Sequence, residues 1–571
     1  MKILLLHVDY IKFKPLKKAL KSIGNLPESE NREKKIEEAL VVLTSVEKSD
    51  SDVKSVVSEL VENVKDIASQ VHANRIVLYP YAHLSKDLAS PELAMKVLDE
   101  SEKQLKKDFE VSRAPFGYYK EFELKVKGHP LSELSREIKV LEPSGKEVKV
   151  EEEYDVKNLL KQISKSRLDT SKLKDNDHRI IGQEMDLFSF NEVAPGMVFW
   201  HNNGLIIYNE LAGFWREMRK RSGYQEIKTP QIMDSKLWKI SGHWEKYKGN
   251  NFVTEYEKRN FLVKPMSCPG GILVFKNHPR SYKELPLRVG ELGIVHRCEL
   301  SGVLAGLFRV IQFTQDDAHI YCTEEQIENE ISDLIDLVDF FYKKFGFEYH
   351  IELSTRPEKR IGNDKIWDLA ENTLKKVLEK RKVKFKINKG EGAFYGPKID
   401  FHIKDSQERT WQCATIQLDF SMPERFELEY TDKDNSRKRP IMLHNVIYGS
   451  LERFIGILLE HTNGRLPTWL APIQVRVLSF TDRNIDYARK IIKQIGEEIP
   501  NLRIDADFSQ TTVQAKVKNA EIMRVPYIIV VGDKEEKDKN LAIRVKGSNK
   551  IESLKAAEFI KKLKEEILNR N

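Results

Sequence analysis

Cysteine is scarce in this chain. Its 571 residues contain only Cys268, Cys298, Cys322 and Cys413, with no paired spacing. That excludes a disulfide framework and predicts a reducing, cytoplasmic setting. Long apolar runs are lacking too, so no membrane partner is expected. The opening MKILLLHVDY carries an apolar run too short for a signal peptide. Asp9 interrupts it and no small-residue cleavage site follows, so a first β-strand is expected there. No G-x-x-x-x-G-K-[ST] or G-x-G-x-x-G run occurs, which excludes a P-loop or Rossmann nucleotide site. No repeat or low-complexity tract is present. Excess charge is small: 95 basic against 88 acidic residues leave +7, which permits a polyanionic partner without requiring one.

What is present suits a soluble, multidomain protein, with 40% hydrophobic and 32% charged residues. The length predicts about three or four domains. Residues 1–145 read as an α/β unit, with strands in ILLLHV, RIVLYPYA and EFELKVKG and a helix in VVSELVENVKDIASQV. Residues 146–195 are polar and lysine-rich, as a linker with helical segments would be. A large domain over 196–470 holds strand-like FLVKPM, FRVIQFTQ, TIQLDF and IMLHNVIY. Two amphipathic helices are predicted in it, near 325–345 and 365–381. Residues 471–571 alternate strand-like runs (VRVLSF, YIIVVGD, LAIRVK) with helical patterns, predicting a small α/β fold with a parallel or mixed sheet.

The stretch FTQDDAHIYC, residues 313–322, places charged groups inside a strand-like run. Alternation puts Phe313, Gln315, Asp317 and His319 on one face, and Asp316, Ala318 and Ile320 on the other. A lone histidine there is most simply a hydrogen-bonded core imidazole. Two other segments change the weighing. In VKPMSCPGG, Cys268 follows a strand and precedes a Pro-Gly-Gly break; in PIMLHNVIYGS, His444 ends a strand. One thiolate and two imidazoles would make a zinc site with an open fourth position. The rival pair His319 and Cys322 requires the strand to end between them.

GIVHRCELSG carries Arg297 and Glu299, Arg309 follows, and GSLERFIGILLE puts Arg453 early in an apolar helix. Each arginine alone reads as a surface ion-pair partner. As a set they suit paired contacts to phosphate oxygens.

Together these segments resemble the signature motifs of class II aminoacyl-tRNA synthetases and, within them, the threonyl-tRNA synthetase family. The likeness runs through DHRIIGQEMDLFSF, APGMVFWHNNG, LWKISGHWEKY, VKPMSCPGG, FTQDDAHIY, GAFYGPKIDF, WQCATIQLDF, HNVIYGSLERFIGILLE and RVPYIIVVGDKE. It implies an α/β and α+β multidomain fold: an N-terminal α/β editing domain, an antiparallel-sheet catalytic core and a C-terminal α/β anticodon-binding domain. It implies a homodimer formed through the region ending at Pro230, with tRNA(Thr), ATP and L-threonine as partners. One Zn²⁺ per subunit would sit on Cys268, His319 and His444, and Mg²⁺ would accompany ATP.

The resemblance also distributes roles. Arg297 would bridge the amino-acid carboxylate and the α-phosphate, and Arg309 and Arg453 would hold the outer phosphates. Glu299 and Phe313 would hold adenine. Gln315, Asp317, Tyr395 and Gln417 would surround threonine. His243 is a candidate proton acceptor in the transfer step; a structural histidine packed by Trp244 is the other reading. Serine lacks only one methyl of threonine, a difference worth about 1–3 kcal/mol, so an editing site is expected. Many relatives edit with an H-x-x-x-H domain, and no two histidines here have that spacing. Residues 1–145 instead resemble the archaeal editing domain, itself similar to D-aminoacyl-tRNA deacylases, through LLLHVDY, YPYAHLS, FGYYKEF and GHPLSEL. That places His83, Tyr119, Lys120 and Glu133 at the editing site, with Val8 where a small polar residue is expected. A plain docking domain is the alternative. Glu535 and Arg544 match anticodon-reading positions, and would otherwise read as solvated loop charges. A synthetase-like factor that binds tRNA or mRNA without charging it is the alternative function.

Overall fold

The computed structural model describes all residues except 21–22, 29, 139–155, 164–170, 172, 247–248, 250 and 549. Parts of the stretch read as a linker therefore lie outside the described residues. The chain divides into two compact units, 1–154 and 155–571.

The first unit is built on one sheet. Its strands run in the order Glu110–Arg113, Arg75–Pro80, Lys34–Ser45, Lys2–Lys18, Tyr118–Val126, with Glu133–Glu137 also paired to Lys2–Lys18. The first three are parallel to one another and the rest antiparallel. The helix Val53–Gln70 forms because apolar side chains recur at helical spacing, and Asp52 caps its first turn by accepting from the Ser55 amide. Val57, Leu60 and Val64 are essentially unexposed against Ile3, Leu5, Leu40 and Val42. Each such side chain contributes about 1.5–3 kcal/mol. A bulge at Asp9 shifts the register, so that Val8 and Ile11 face the second core of this unit together.

The second unit holds an eight-stranded sheet. Its order is Phe385–Asn388, Glu348–Ser354, Lys398–Lys404, Thr410–Asp419, Ile441–Val446, Gln312–Cys322, Leu287–His296, Gln225–Glu226. All neighbours are antiparallel except the outermost pair at each end. The helices Ile327–Lys344, Asp364–Lys380 and Leu451–Thr462 contribute their apolar faces to its core. The closing region carries a mixed five-stranded sheet, Ile504–Asp507, Val475–Ser479, Tyr527–Val531, Asn540–Val545, Ile551–Lys555, with its own core. Arg503 pairs with Glu210 at 2.7 Å, and Arg524 with Glu184 at 2.8 Å, tying this sheet to the larger domain.

Two expectations change here. Residues 177–190, composed like a linker, pack into the core of the eight-stranded sheet. Ile181, Met185, Leu187 and Phe188 are buried there, and His178 bridges Glu460 (2.6 Å) and the Leu307 amide (2.9 Å). The lysines around this stretch hid its apolar spacing. The Pro-Gly-Gly after Cys268 is not a break either. It opens the helix Cys268–Lys276, where proline in the first turn gives up no hydrogen bond.

Candidate functional site

The ladder of the large sheet brings three chemistry-bearing residues into line. His319 lies directly opposite His444 on the next strand, and His444 opposite Gln417 on the one after. All three therefore share a face. The helix Cys268–Lys276 begins at this face, so ligand atoms of Cys268, His319 and His444 come within 4.8 Å of one another. The two imidazoles meet edge to face at 4.9 Å. All three residues are buried. Burial pushes the Cys268 thiol well above its ordinary range and the His319 imidazole well below it. Nε2 of His319 is buried with no hydrogen-bond partner among the described residues. His444 Nε2 stands 2.9 Å from Asp419, a carboxylate that fixes the ring and leaves the other nitrogen for a ligand. One sulfur and two nitrogens, one of them orphaned, fit a zinc ion.

Asp317 stands 3.5 Å from His319, on the same face of the strand Gln312–Cys322. Burial raises its pKa to about 7, against an opposing pull from His444. Its cross-strand partner is Glu291, which forms a fully buried pair with Lys264 (2.8 Å) and accepts from Thr229. Sequence reasoning missed this trio, although Lys264 sits in the quoted VKPM. Tyr395 lies 5.2 Å from the His444 ring, and Gln417 donates to the Gly396 carbonyl.

The arginines converge further along the same strand. Arg297 stands 5.1 Å over the Phe313 ring. Glu299 and Arg309 are paired at 2.9 Å. Arg453 donates to the Phe308 carbonyl. Burial and the nearby charges of Arg309 and Arg297 lower its pKa, against pulls from Cys413 and Glu299. A group of cations held this close suits a polyphosphate.

Asp316 points to the opposite face, as alternation predicts, and is fully buried. Its carboxylate accepts from the amides of Ile447 (2.8 Å), Tyr448 (3.1 Å) and Gly449 (3.0 Å). These are the residues just before the helix that carries Arg453. Gly449 has φ +80°, and a side chain there would strike the Cys413 carbonyl. Desolvation still raises Asp316 to about 6. The sequence assigned it no role, since its partners lie over 130 residues away.

His243 is completely enclosed, against Trp238, Phe394 and Tyr395, and its Nδ1 lies 2.8 Å from Ser241 Oγ. Burial lowers its pKa to about 3. Such a group is poorly matched to accepting a proton at neutral pH, and the geometry favours packing.

In the first unit, His83, Tyr119 and Lys120 line one cavity of about 660 Å³ together with Tyr79, Tyr81 and Phe122. Lys120 donates to the Pro115 and Tyr118 carbonyls and lies 5.0 Å over the Tyr79 ring. Burial lowers its pKa to about 8. Glu133 is not among the lining residues. Its strand, Glu133–Glu137, pairs with Lys2–Lys18 on the side away from Lys34–Ser45, whose Thr44 and Ser45 do line the cavity. Val8 is a core residue with no exposure. In the closing region Glu535 caps its own helix, Asp533–Asp538, by accepting from the Gly532 amide, and Arg544 pairs with Glu521 at 3.0 Å.

Among the described residues, no helix is long and apolar enough to cross a membrane. Three family models match: the archaea-specific editing domain of threonyl-tRNA synthetase over residues 1–138, the class II tRNA synthetase core domain (G, H, P, S and T) over 252–462, and an anticodon binding domain over 474–566. The threonine–tRNA ligase of Caldanaerobacter subterraneus is 46% identical over 516 residues, covering 88% of this chain and 80% of that protein. The threonine–tRNA ligase of Clostridium tetani is 52% identical over 397 residues, covering 70% of this chain and 62% of that protein. The crystal structure titled as the RNA binding domain of threonyl-tRNA synthetase from Cryptosporidium parvum matches with TM-score 0.66 at 39% identity, over 68% of this chain and 98% of that one. The converging site and these likenesses agree: the chain belongs to the threonine–tRNA ligase family of class II aminoacyl-tRNA synthetases.

Proposed function

We propose that this protein activates L-threonine with ATP to threonyl-adenylate, transfers it to the 3′ end of tRNA(Thr), and hydrolyses mischarged Ser-tRNA(Thr) in its N-terminal unit. The observation that carries the reading is the meeting of Cys268, His319 and His444 beside Asp317, on the strand that also carries Phe313. These three residues would hold one Zn²⁺ per subunit, with Asp419 orienting His444. When bound, the ion would supply a Lewis acid for the polar groups of threonine. Asp317 accepts from the threonine hydroxyl, and Gln315, Tyr395 and Gln417 enclose the amino acid. Valine would leave the buried Asp317 unpaired. A site built to bind a hydroxyl rejects the analogue lacking it by about 10⁴.

The threonine carboxylate needs no general base, so activation depends on positioning and on charge at the phosphates. Arg297 holds the carboxylate and α-phosphate together. Arg309 and Arg453 hold the outer phosphates, which arrive with Mg²⁺, while Glu299 and Phe313 hold adenine. The working molecule is a cytoplasmic homodimer, and the closing region takes the anticodon through Glu535 and Arg544. In the editing cavity Lys120 is the one lining side chain with a strongly depressed pKa, and His83 and Tyr119 flank the substrate.

ATP–pyrophosphate exchange with threonine, serine and valine, alongside metal analysis, tests this. Threonine should lead, serine follow and valine fail. Equal exchange with valine, or exchange unchanged after complete zinc removal, would overturn the mechanism. Binding of tRNA with no exchange for any amino acid would favour a non-charging factor.

A further inference from the structure

The sheet face that carries Gln417 and His444 continues into a second cluster of donors. Lys398 lies opposite Gln417, and Asp400 and His402 follow on the same face of the strand Lys398–Lys404. His402 is the direct partner of His350 on the strand Glu348–Ser354, and Glu352 is two residues beyond His350. The two imidazoles stack at 4.9 Å with an angle of 11°. Ligand atoms of His350, Glu352 and His402 lie within 4.8 Å of one another. His350 Nε2 stands 3.5 Å from one Glu352 oxygen, and His402 Nε2 stands 3.5 Å from the other.

Those separations are long for hydrogen bonds. They are close to what a shared ion requires, since two ligands about 2.0–2.1 Å from a tetrahedral zinc stand about 3.3–3.4 Å apart. Asn388 donates to Glu352 at 2.9 Å and holds the carboxylate in place. The Glu352 and His402 side chains are each 19% exposed and that of His350 is 41% exposed, so the cluster is partly sheltered and still open to an entering ion. Strand spacings put it roughly 20 Å from His444, too far to share that ion.

We propose that His350, Glu352 and His402 form a second metal site, taking a divalent first-row transition ion, zinc foremost. Two imidazoles and one carboxylate suit zinc, cobalt or nickel over magnesium or calcium. Three protein ligands leave the fourth position to water. The ion would pin two neighbouring strands of the catalytic sheet at a point away from the reacting groups.

The test uses the full-length protein, stripped of metal and titrated with Zn²⁺ against a chromophoric chelator. The wild type should bind about two ions per chain, and H402A and H350A about one each. C268S should also bind about one, and C268S with H402A none. In Co²⁺-loaded protein the thiolate charge-transfer band should persist in H402A and vanish in C268S. A wild type that binds one ion, lost in C268S, overturns this proposal and leaves the proposed function standing. Loss of an ion in H402A with none lost in C268S does the reverse. H402A and H350A variants that keep the wild-type ion count overturn the second site outright. Circular dichroism of each variant confirms that the count refers to folded protein.

Discussion

The proposed catalytic face and the proposed editing cavity are built from opposite materials. On the first, buried charged groups pair with one another: Lys264 with Glu291 and Asp419 with His444. The editing cavity has aromatic walls, Tyr79, Tyr81, Tyr119 and Phe122, and one buried amine, Lys120. The first material reads a hydroxyl, because an unmatched partner inside it is costly. On the proposed reading it would separate threonine from valine and be nearly blind to serine. The second would leave recognition to fit and use its amine, whose pKa burial depresses, for water chemistry. Discrimination by polarity and discrimination by hydrolysis need different surroundings, which is consistent with the proposed division between two folds.

The largest expected effect breaks the first half of this contrast. Cys268→Ser should remove bound zinc and lower threonine-dependent pyrophosphate exchange by about 10⁴. Exchange near the wild-type rate in zinc-free protein would end the polar-reading account.

Lys120→Ala tests the second half. Hydrolysis of Ser-tRNA should fall by about a hundredfold or more, with threonine exchange unchanged. The depressed pKa has its own signature. Amine labelling of Lys120 should rise with a midpoint near pH 8, against about 10.4 for ordinary lysines. The linkage sign follows from the unfolded chain binding more protons in that window. Lys120 should therefore make the wild type gain stability between about pH 8 and 10.5, and Lys120→Met should lose that slope in denaturant titrations.

Asp419→Ala, which removes only the carboxylate behind His444, should weaken zinc binding about 10–100-fold in a chelator competition. Asp316→Asn replaces an acceptor of three amides with a group that can accept at one oxygen only. A loss of about 1–3 kcal/mol is expected in denaturant unfolding, with zinc content kept. Smallest of all, Glu133→Gln should change Ser-tRNA hydrolysis by less than about twofold, because Glu133 is not among the residues that line the cavity.

Strand alternation alone grouped Phe313, Gln315, Asp317 and His319, and the cluster at His319 and Asp317 agrees with that grouping. It worked because one long buried strand carries the whole row, so a period of two is enough. Where the site depends on pairing between distant segments, the residues were silent. Asp316 had no assigned role and His350 drew no reading, since neither the amides of 447–449 nor the register to His402 is written near them. The residues offered Cys268 and His444 as candidates and the resemblance joined them to His319, while Glu133, placed at the editing site by the resemblance, is not among the residues lining the cavity. The helix at Cys268 was hidden by the usual association of Pro-Gly-Gly with turns.

The three amides held by Asp316 have a further consequence. One face of a single strand carries Asp317 and His319, while its other face fixes the turn that launches the helix of Arg453. On the proposed reading, the gap between the threonine pocket and the phosphate-binding arginine is therefore spanned by one element, not by the sum of several loops. A shift of that strand would move both ends together. A two-substrate reaction needs its partners aligned to a fraction of an ångström, and here a common ruler carries both marks.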